Sequence, residues 1–265
     1  MPTPSTSAGA HTGERPGRGE GFAYDEARHL AAYLYARELA RDRQVLDAGC
    51  GEGFGTVLLA ETARRVTGID YSPAAVAAAT AAYRRPNLEF RHLDVYALPG
   101  LDLRFDLITN FQVIEHLPKP ADFLIAVRAA LKPEGVLMLT TPNRLTTMSE
   151  NPYHLREYTA DELAALLRPI FSRVELKSMM GNATVRAFDE ARARQVRRIL
   201  RLDPLGLRHR LPQSLVRFAF GKLSVLVRRR VASDAAETRA IVPGDFQVVD
   251  GSRPDALDLV ALCRV

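Results

Sequence analysis

Tryptophan is absent from this 265-residue chain, and cysteine occurs only twice, at Cys50 and Cys263. Each cysteine sits in an apolar stretch that reads as a buried strand or its end. A disulfide framework is therefore excluded and a reducing cytosol is compatible, so a cytoplasmic location is expected. Long apolar runs are also missing. The best of them, residues 211–227, is broken by Arg217 and Lys222, which argues against a membrane span. Residues 1–21 are rich in Pro, Gly, Ser and Thr and lack an apolar segment, so they read as a disordered tail and not as a signal peptide. What is present is ordinary for a globular protein: 47% hydrophobic and 25% charged residues. The length suits one core with an insertion. We expect that core at 22–182, a basic helical insertion at 183–245, and a final strand completing the core within 246–265.

The net charge of +5 is unevenly placed. Residues 183–240 hold fourteen Arg/Lys against five Asp/Glu, so this stretch exceeds the whole net charge and the remainder is mildly acidic. A uniformly basic nucleic-acid binder would look different.

Along the chain, helix and strand signals alternate. Residues 24–41 place Ala27, Leu30, Ala31, Leu34, Leu39 and Ala40 at roughly helical spacing. Strands are expected at 45–48, 65–70, 88–93, 105–110, 136–141, 174–179 and 257–262. Helices are expected at 56–64, from Ser72-Pro73 to 83, at 121–131, and from a capping box at Thr159 and Glu162 to about 167. Pro133 to Gly135 reads as a turn into the fifth strand, and Pro243 to Phe246 as a tight turn leading back to the sheet. This alternation implies a mostly parallel sheet with helices on both faces, an α/β fold.

The stretch 45–55, VLDAGCGEGFG, has glycines at four alternate positions directly after a strand. Glycine there lets the backbone bend sharply and lets a ligand approach its amides. A dinucleotide fingerprint starting at Gly49 and Gly51 needs its third glycine where Phe54 stands. One starting at Gly51 and Gly53 needs it at Thr56, so the pyrophosphate pattern fails. Asp47 would repel phosphate and attract a cationic ligand. Asp70 ends the next strand, where its two oxygens can accept both hydroxyls of a ribose.

Taken in order, residues 45–55, 68–72 (GIDYS), 93–95 (LDV), 105–117 and 131–135 (LKPEG) resemble the successive motifs of class I S-adenosylmethionine (SAM)-dependent methyltransferases. The resemblance covers about residues 28–170. It implies a Rossmann-like seven-stranded sheet in the order 3-2-1-4-5-7-6 with the seventh strand antiparallel, and SAM as cofactor. By motif match, the glycine turn with Asp47, Gly49, Gly51 and Gly53 would lie near the methionine moiety. Asp70, followed by Tyr71, would hold the ribose. Asp94 would accept from the adenine amino group while Val95 donates its amide, and Asn110 and Phe111 would border the sulfonium.

Methyl transfer to a hydroxyl needs alignment, exclusion of water and removal of a proton. His116, in the Glu-His-Leu segment common among similar methyltransferases, is a candidate for catalysis or for shaping the pocket. His154 is the preferred base, its pKa normally lying near neutrality; bracing of the following helix is the competing role. Around it Asn143, Arg144, Arg156, Glu157 and Tyr158 form a polar and aromatic segment suited to holding a polar substrate. The strand ends show no acidic cluster, so no metal is expected, although His154 and Glu157 remain open as ligands. An amino-directed nucleic-acid methyltransferase would typically show Asp/Asn-Pro-Pro-aromatic after the fourth strand, where this chain has Asn110-Phe-Gln-Val113.

Arg194, Arg197, Arg198 and Arg201 share one helical face, and Leu215, Ala219, Leu223, Leu226 and Val227 form an apolar stripe ending at Arg228–Arg230. A lid or dimer element, recognition of an anionic or lipid-linked substrate or a membrane surface, and phosphate binding all stay open. The segments 141–144 and 151–158 resemble bacterial methyltransferases associated with sugars and glycan assembly. One such group, in actinobacteria, acts on the oligosaccharide of the redox cofactor mycofactocin, and the Ala and Arg bias suits a GC-rich source. The expected function is methylation of a hydroxyl on a small molecule or glycan. The alternatives are an RNA methyltransferase using the basic insertion and a catalytically silent SAM-binding protein.

Overall fold

The computed structural model describes residues 23–148, 151, 153–200 and 240–265. The described elements run α1 (Ala23–Leu39), β1 (Gln44–Ala48), α2 (Thr56–Leu59), β2 (Arg65–Asp70), α3 (Pro73–Ala82), β3 (Leu88–His92), β4 (Phe105–Phe111), α4 (Pro120–Ala130), β5 (Leu131–Pro142), α5 (Ala160–Leu167), β6 (Arg173–Gly181), α6 (Ala183–Leu200), β7 (Phe246–Asp250) and β8 (Asp258–Arg264). They form one sheet in the order β3-β2-β1-β4-β5-β8-β6-β7. β1 to β5 pair in parallel, and β8 runs antiparallel between β5 and β6.

The Rossmann-like α/β architecture expected from the motifs is present, with one correction to strand count and order. β7 pairs antiparallel with β6 at the sheet edge, so the sheet has eight strands and the antiparallel insertion is the eighth in sequence. The reason lies in the composition of β7. Its residues after Phe246 are exposed or half-buried, and its tip, Asp250, pairs with Lys177 across the edge, so it lacks the continuous apolar signature of the inner strands. Two further boundaries shift. The second helix ends at Leu59 instead of about residue 64, and β5 begins at Leu131, with Pro133 to Gly135 accommodated as a register shift against Phe105 and Leu107.

Successive residues of the inner strands feed opposite faces. Val45, Val66, Leu107, Met138 and Val260 pack under α1, α2 and the start of α6. Leu46, Ile69, Ile108, Leu137 and Leu139 pack under α4 and α5. Local signals hold where they were strong: Ser72 caps α3 with Pro73 at its first position, and Thr159 and Glu162 close a capping box on α5. α1 buries Tyr24, Ala27, Ala31, Ala32, Tyr33 and Ala36, whereas the expected Leu30, Leu34 and Leu39 are only half-buried. α6 carries Arg194, Arg197 and Arg198 on one helix; Arg201, the apolar stripe after Leu215, Arg228–Arg230 and the tail at 1–21 lie outside the described residues. None of the described helices is long and apolar enough to cross a membrane.

Candidate functional site

The parallel strands end on one edge, where open α/β sheets take ligands. The turn after β1 is shaped by backbone that only glycine adopts easily: Gly49, Gly51 and Gly53 have φ of +89°, +55° and +80°. Beneath Gly49 a Cβ would meet Val113 at 2.5 Å, whereas at Gly51 it would enter open space. The turn thus presents bare backbone to the cleft at Gly51. Asp70, buried at the end of β2, accepts from the Gly51 amide (2.9 Å) and the Ser72 amide (2.8 Å), one on each carboxylate oxygen. Tyr71 beside it is 69% exposed. Asp94 caps the short helical turn Val95–Gly100, accepting from Tyr96 at 3.0 Å, and Val95 is buried. Asn110 donates to the Ala48 carbonyl at 2.8 Å while its buried Oδ1 has no hydrogen-bond partner, and Phe111 packs edge-on against Tyr33.

Asp47 takes a different place from the one its charge implied. It does not face the open cleft: its carboxylate is buried under the turn and accepts hydroxyls from Thr56 (2.7 Å), Thr109 (2.8 Å) and Tyr33 (3.1 Å). Burial pushes its pKa up to about 6, and the three hydroxyls hold it back from rising further. Asp47 braces the turn against β4 and α1.

Past β4, Gln112 adopts a left-handed backbone (φ +56°) and a short 3₁₀ turn, Ile114–His116, follows. This bend sends Glu115 and His116 toward the segment after β5. That segment folds back on itself, with Asn143 bridging to Tyr158 and the Glu115 carbonyl accepting from the amides of Leu155 (2.8 Å) and Arg156 (3.2 Å). His116 and His154 then meet edge to face, ring centroids 4.9 Å apart. Nδ1 of His116 faces the Tyr153 carbonyl at 3.1 Å, and Nδ1 of His154 faces Glu157 at 2.6 Å. Glu157 also accepts from Thr147 at 2.5 Å. Burial raises the Glu157 carboxyl, but the His154 and Thr147 hydrogen bonds outweigh it and leave the pKa below the usual range. Nε2 of His154 meets Nδ2 of Asn151 at 2.9 Å.

Glu115, not among the sequence candidates, lies at the centre of this group. Its side chain is 1% exposed; one oxygen accepts from Thr141 at 3.0 Å and Oε1 has no hydrogen-bond partner. Desolvation pushes its pKa up to about 7 despite the pull of Thr141 and His154. The available signal was a carboxylate flanked by Ile114 and Leu117 directly after a buried strand.

The remaining predicted residues separate from this cluster. Arg144 pairs with Glu162 at 3.0 Å, and Arg156 approaches the same carboxylate at 3.8 Å while stacking over Tyr158. Tyr158 is buried in the core. Asn143 is 1% exposed and spends its amide on the carbonyls of Pro254 and Ala256 and on the Leu145 amide. Asn143, Arg144, Arg156 and Tyr158 thus make contacts within the loop, with α5 and with the segment before β8.

The chain is similar in sequence and fold to known methyltransferases. Residues 46–139 match a family described as a methyltransferase domain. A probable S-adenosylmethionine-dependent methyltransferase of Mycolicibacterium smegmatis is 43% identical over 171 residues, 62% of this chain and 65% of the relative. A ubiquinone biosynthesis O-methyltransferase of Roseobacter denitrificans is 34% identical over 113 residues, 42% of this chain and 46% of that protein. The chain thus spans between about half and two thirds of the curated relatives it matches. A SAM-dependent methyltransferase structure from Archaeoglobus fulgidus superposes with a TM-score of 0.54 at 15% identity, covering 90% of this chain and 94% of the other, a likeness of fold.

Proposed function

We propose that this chain, which carries a class I SAM-dependent methyltransferase domain with SAM as its cofactor, transfers the methyl group of SAM to a hydroxyl of a small-molecule or glycan acceptor. The whole-protein activity is inferred from the site. The observation that carries it is the gathering of His154, Glu157, His116 and Glu115 at the ligand edge of the sheet, beside the strand end that would border the sulfonium.

In this reading SAM lies along the edge from the glycine turn to β3. The Asp70 carboxylate accepts the ribose hydroxyls, and the Gly51 and Ser72 amides keep it oriented. Tyr71 flanks the nucleoside, and Asp94 and Val95 meet the adenine edge. Asn110 and Phe111 border the sulfonium, and Asp47 acts from behind the turn at Gly49 and Gly53 by holding it in shape.

The acceptor hydroxyl would be held beside His154, where bound SAM would supply the methyl for the new O–C bond, its sulfur taking back the electron pair of the C–S bond. The hydroxyl proton goes to Nε2 of His154. Because Nδ1 of His154 faces the Glu157 carboxylate, Nδ1 carries a proton and Nε2 carries the lone pair, and the imidazolium that forms is held by Glu157. The Asn151 amide now on that nitrogen gives way to the acceptor. A glycan acceptor is favoured by the likeness of segments 141–144 and 151–158 to glycan-associated methyltransferases, and a hydroxyl by the O-methyltransferase relative.

The test is incubation of the full chain with methyl-labelled SAM and a panel of sugar and phenolic acceptors. His154→Ala should keep SAM binding, read by calorimetry, and lose methyl transfer by about 100-fold or more. Asp70→Ala should lose SAM binding itself. Undiminished turnover in His154→Ala would remove the base, and SAM uptake indifferent to Asp70→Ala would remove the cofactor placement.

A further inference from the structure

Among the described residues, one carboxylate oxygen of Glu115 and one ring nitrogen each of His116 and His154 all lie within 4.8 Å of one another. Their surroundings set what these atoms can do. Nδ1 of His116 is turned to a backbone carbonyl and Nδ1 of His154 to a carboxylate, and neither acceptor can donate. Both rings are therefore held as Nδ1–H tautomers with the lone pair on Nε2. The Asn151 contact agrees: its Oδ1 accepts from the Tyr153 amide at 3.1 Å, so its NH₂ is the group offered to Nε2 of His154. Glu115 adds a buried oxygen that no hydrogen-bond donor reaches. Two imidazoles and a buried carboxylate thus bring one ligand atom each to the same place, a donor set suited to a cation.

We propose that Glu115, His116 and His154 form a binding site for one divalent transition-metal cation of the zinc class, and that its occupancy competes with base catalysis at His154. Two imidazoles and one carboxylate suit zinc, cobalt or ferrous iron, whereas magnesium and calcium favour all-oxygen shells. Three protein ligands leave a coordination position open. The contacts at Nδ1 are those that orient metal-bound histidines, with Glu157 as the outer carboxylate behind His154. Tetrahedral bonds of about 2.0–2.1 Å put ligand atoms about 3.3 Å apart, so the cluster closes by at most about 1.5 Å on binding. The Asn151 amide turns away as the cation takes Nε2. A nitrogen that has given its lone pair to a metal cannot accept the acceptor's proton, so the occupied site is silent in methyl transfer. Cation binding stands independently of the methyltransferase reading; only the competition rests on it.

The experiment titrates the metal-free full chain with zinc or cobalt chloride, with magnesium chloride in parallel, by calorimetry and by the visible spectrum of cobalt. No SAM or acceptor is present. One equivalent should bind with a micromolar or tighter constant, with the cobalt bands of nitrogen–oxygen coordination, while millimolar magnesium gives no saturable heat. Glu115→Gln and His116→Gln, each confirmed folded by an unchanged far-UV spectrum, should weaken binding at least tenfold. Absence of saturable zinc and cobalt binding overturns the site and points to a shared proton in the cluster. Binding of undiminished strength in both folded variants overturns it as well, placing the cation elsewhere. Should a glutamine variant fail to fold, His154→Gln serves in its place with the same expected loss. In the methyl-transfer assay, one equivalent of zinc should abolish turnover and a chelator restore it. Full turnover of the zinc-loaded protein overturns the competition.

Discussion

Asp47 shows how a single carboxylate can be misplaced by its charge alone. Facing three hydroxyls in a buried pocket, it has a pKa of about 6, above that of a solvated aspartate. The folded state therefore binds its proton more tightly than the unfolded chain does. Its contribution to stability is full below about pH 4 and is lost as pH rises through about 6, a difference of up to about 3 kcal/mol. Asp47→Asn keeps an oxygen for the hydroxyls but cannot ionise. Urea denaturation from pH 4 to 7 should show that the variant gains on the parent across this window; parallel curves would sink the assignment. Cys263 is a second residue whose state follows from burial, which pushes its thiol up to about 12. It should resist alkylation in the native protein at pH 8 and react fully in guanidinium, as mass spectrometry of the reagent-treated protein will read. Glu115 is the residue whose importance the chain concealed: nothing in the string Val113-Ile-Glu-His-Leu117 says that His154, 39 positions on, will lie beside it.

At the scale of elements, the glycine turn and the helix starts are where sequence and structure agree most closely. Gly49 is left-handed, its amide donating to the Ile69 carbonyl at 2.8 Å, and a Cβ there would strike Val113. Gly49→Ala should cost about 1–3 kcal/mol and weaken SAM binding; a thermal midpoint equal to the parent's would refute the strain. Thr159 and Glu162 exchange two hydrogen bonds at the start of α5, and Thr159→Ala should cost about 1 kcal/mol in denaturant unfolding. Both signals were legible because each depends only on neighbours within a few positions. β7 was missed for the opposite reason. An edge strand buries one face lightly, and Phe246 to Asp250 lack the apolar run that marks the inner strands. The loop after β5 was legible as polar and aromatic, but which of its side chains face inward depends on where Glu115 and Glu162 lie.

Across the whole molecule, α1 ties distant parts of the chain together. Tyr33 reaches Asp47 under the first turn, Tyr24 donates to Asp189 of α6 at 2.8 Å, and Arg28 pairs with Asp258 at the start of β8 at 3.3 Å. The Asp258 side chain is 4% exposed, so removing its partner leaves a buried charge uncompensated. Arg28→Ala should cost about 3 kcal/mol, and the double variant with Asp258→Asn should recover part of that loss in a double-mutant cycle of thermal or urea unfolding. Additive losses would show that the pair is uncoupled.

The chain itself determined the alternation of strands and helices, the sharp glycine turn, the caps and the acidic end of β2, since each is written in residues close enough to interact before the sheet exists. Tertiary structure alone decided that Asp47 faces hydroxyls, that Arg144 and Arg156 turn to Glu162, and that Glu115 joins two histidines from different loops. Burial and hydrogen-bond partnership are properties of what packs alongside, and those neighbours come from segments that only the closed sheet brings within reach.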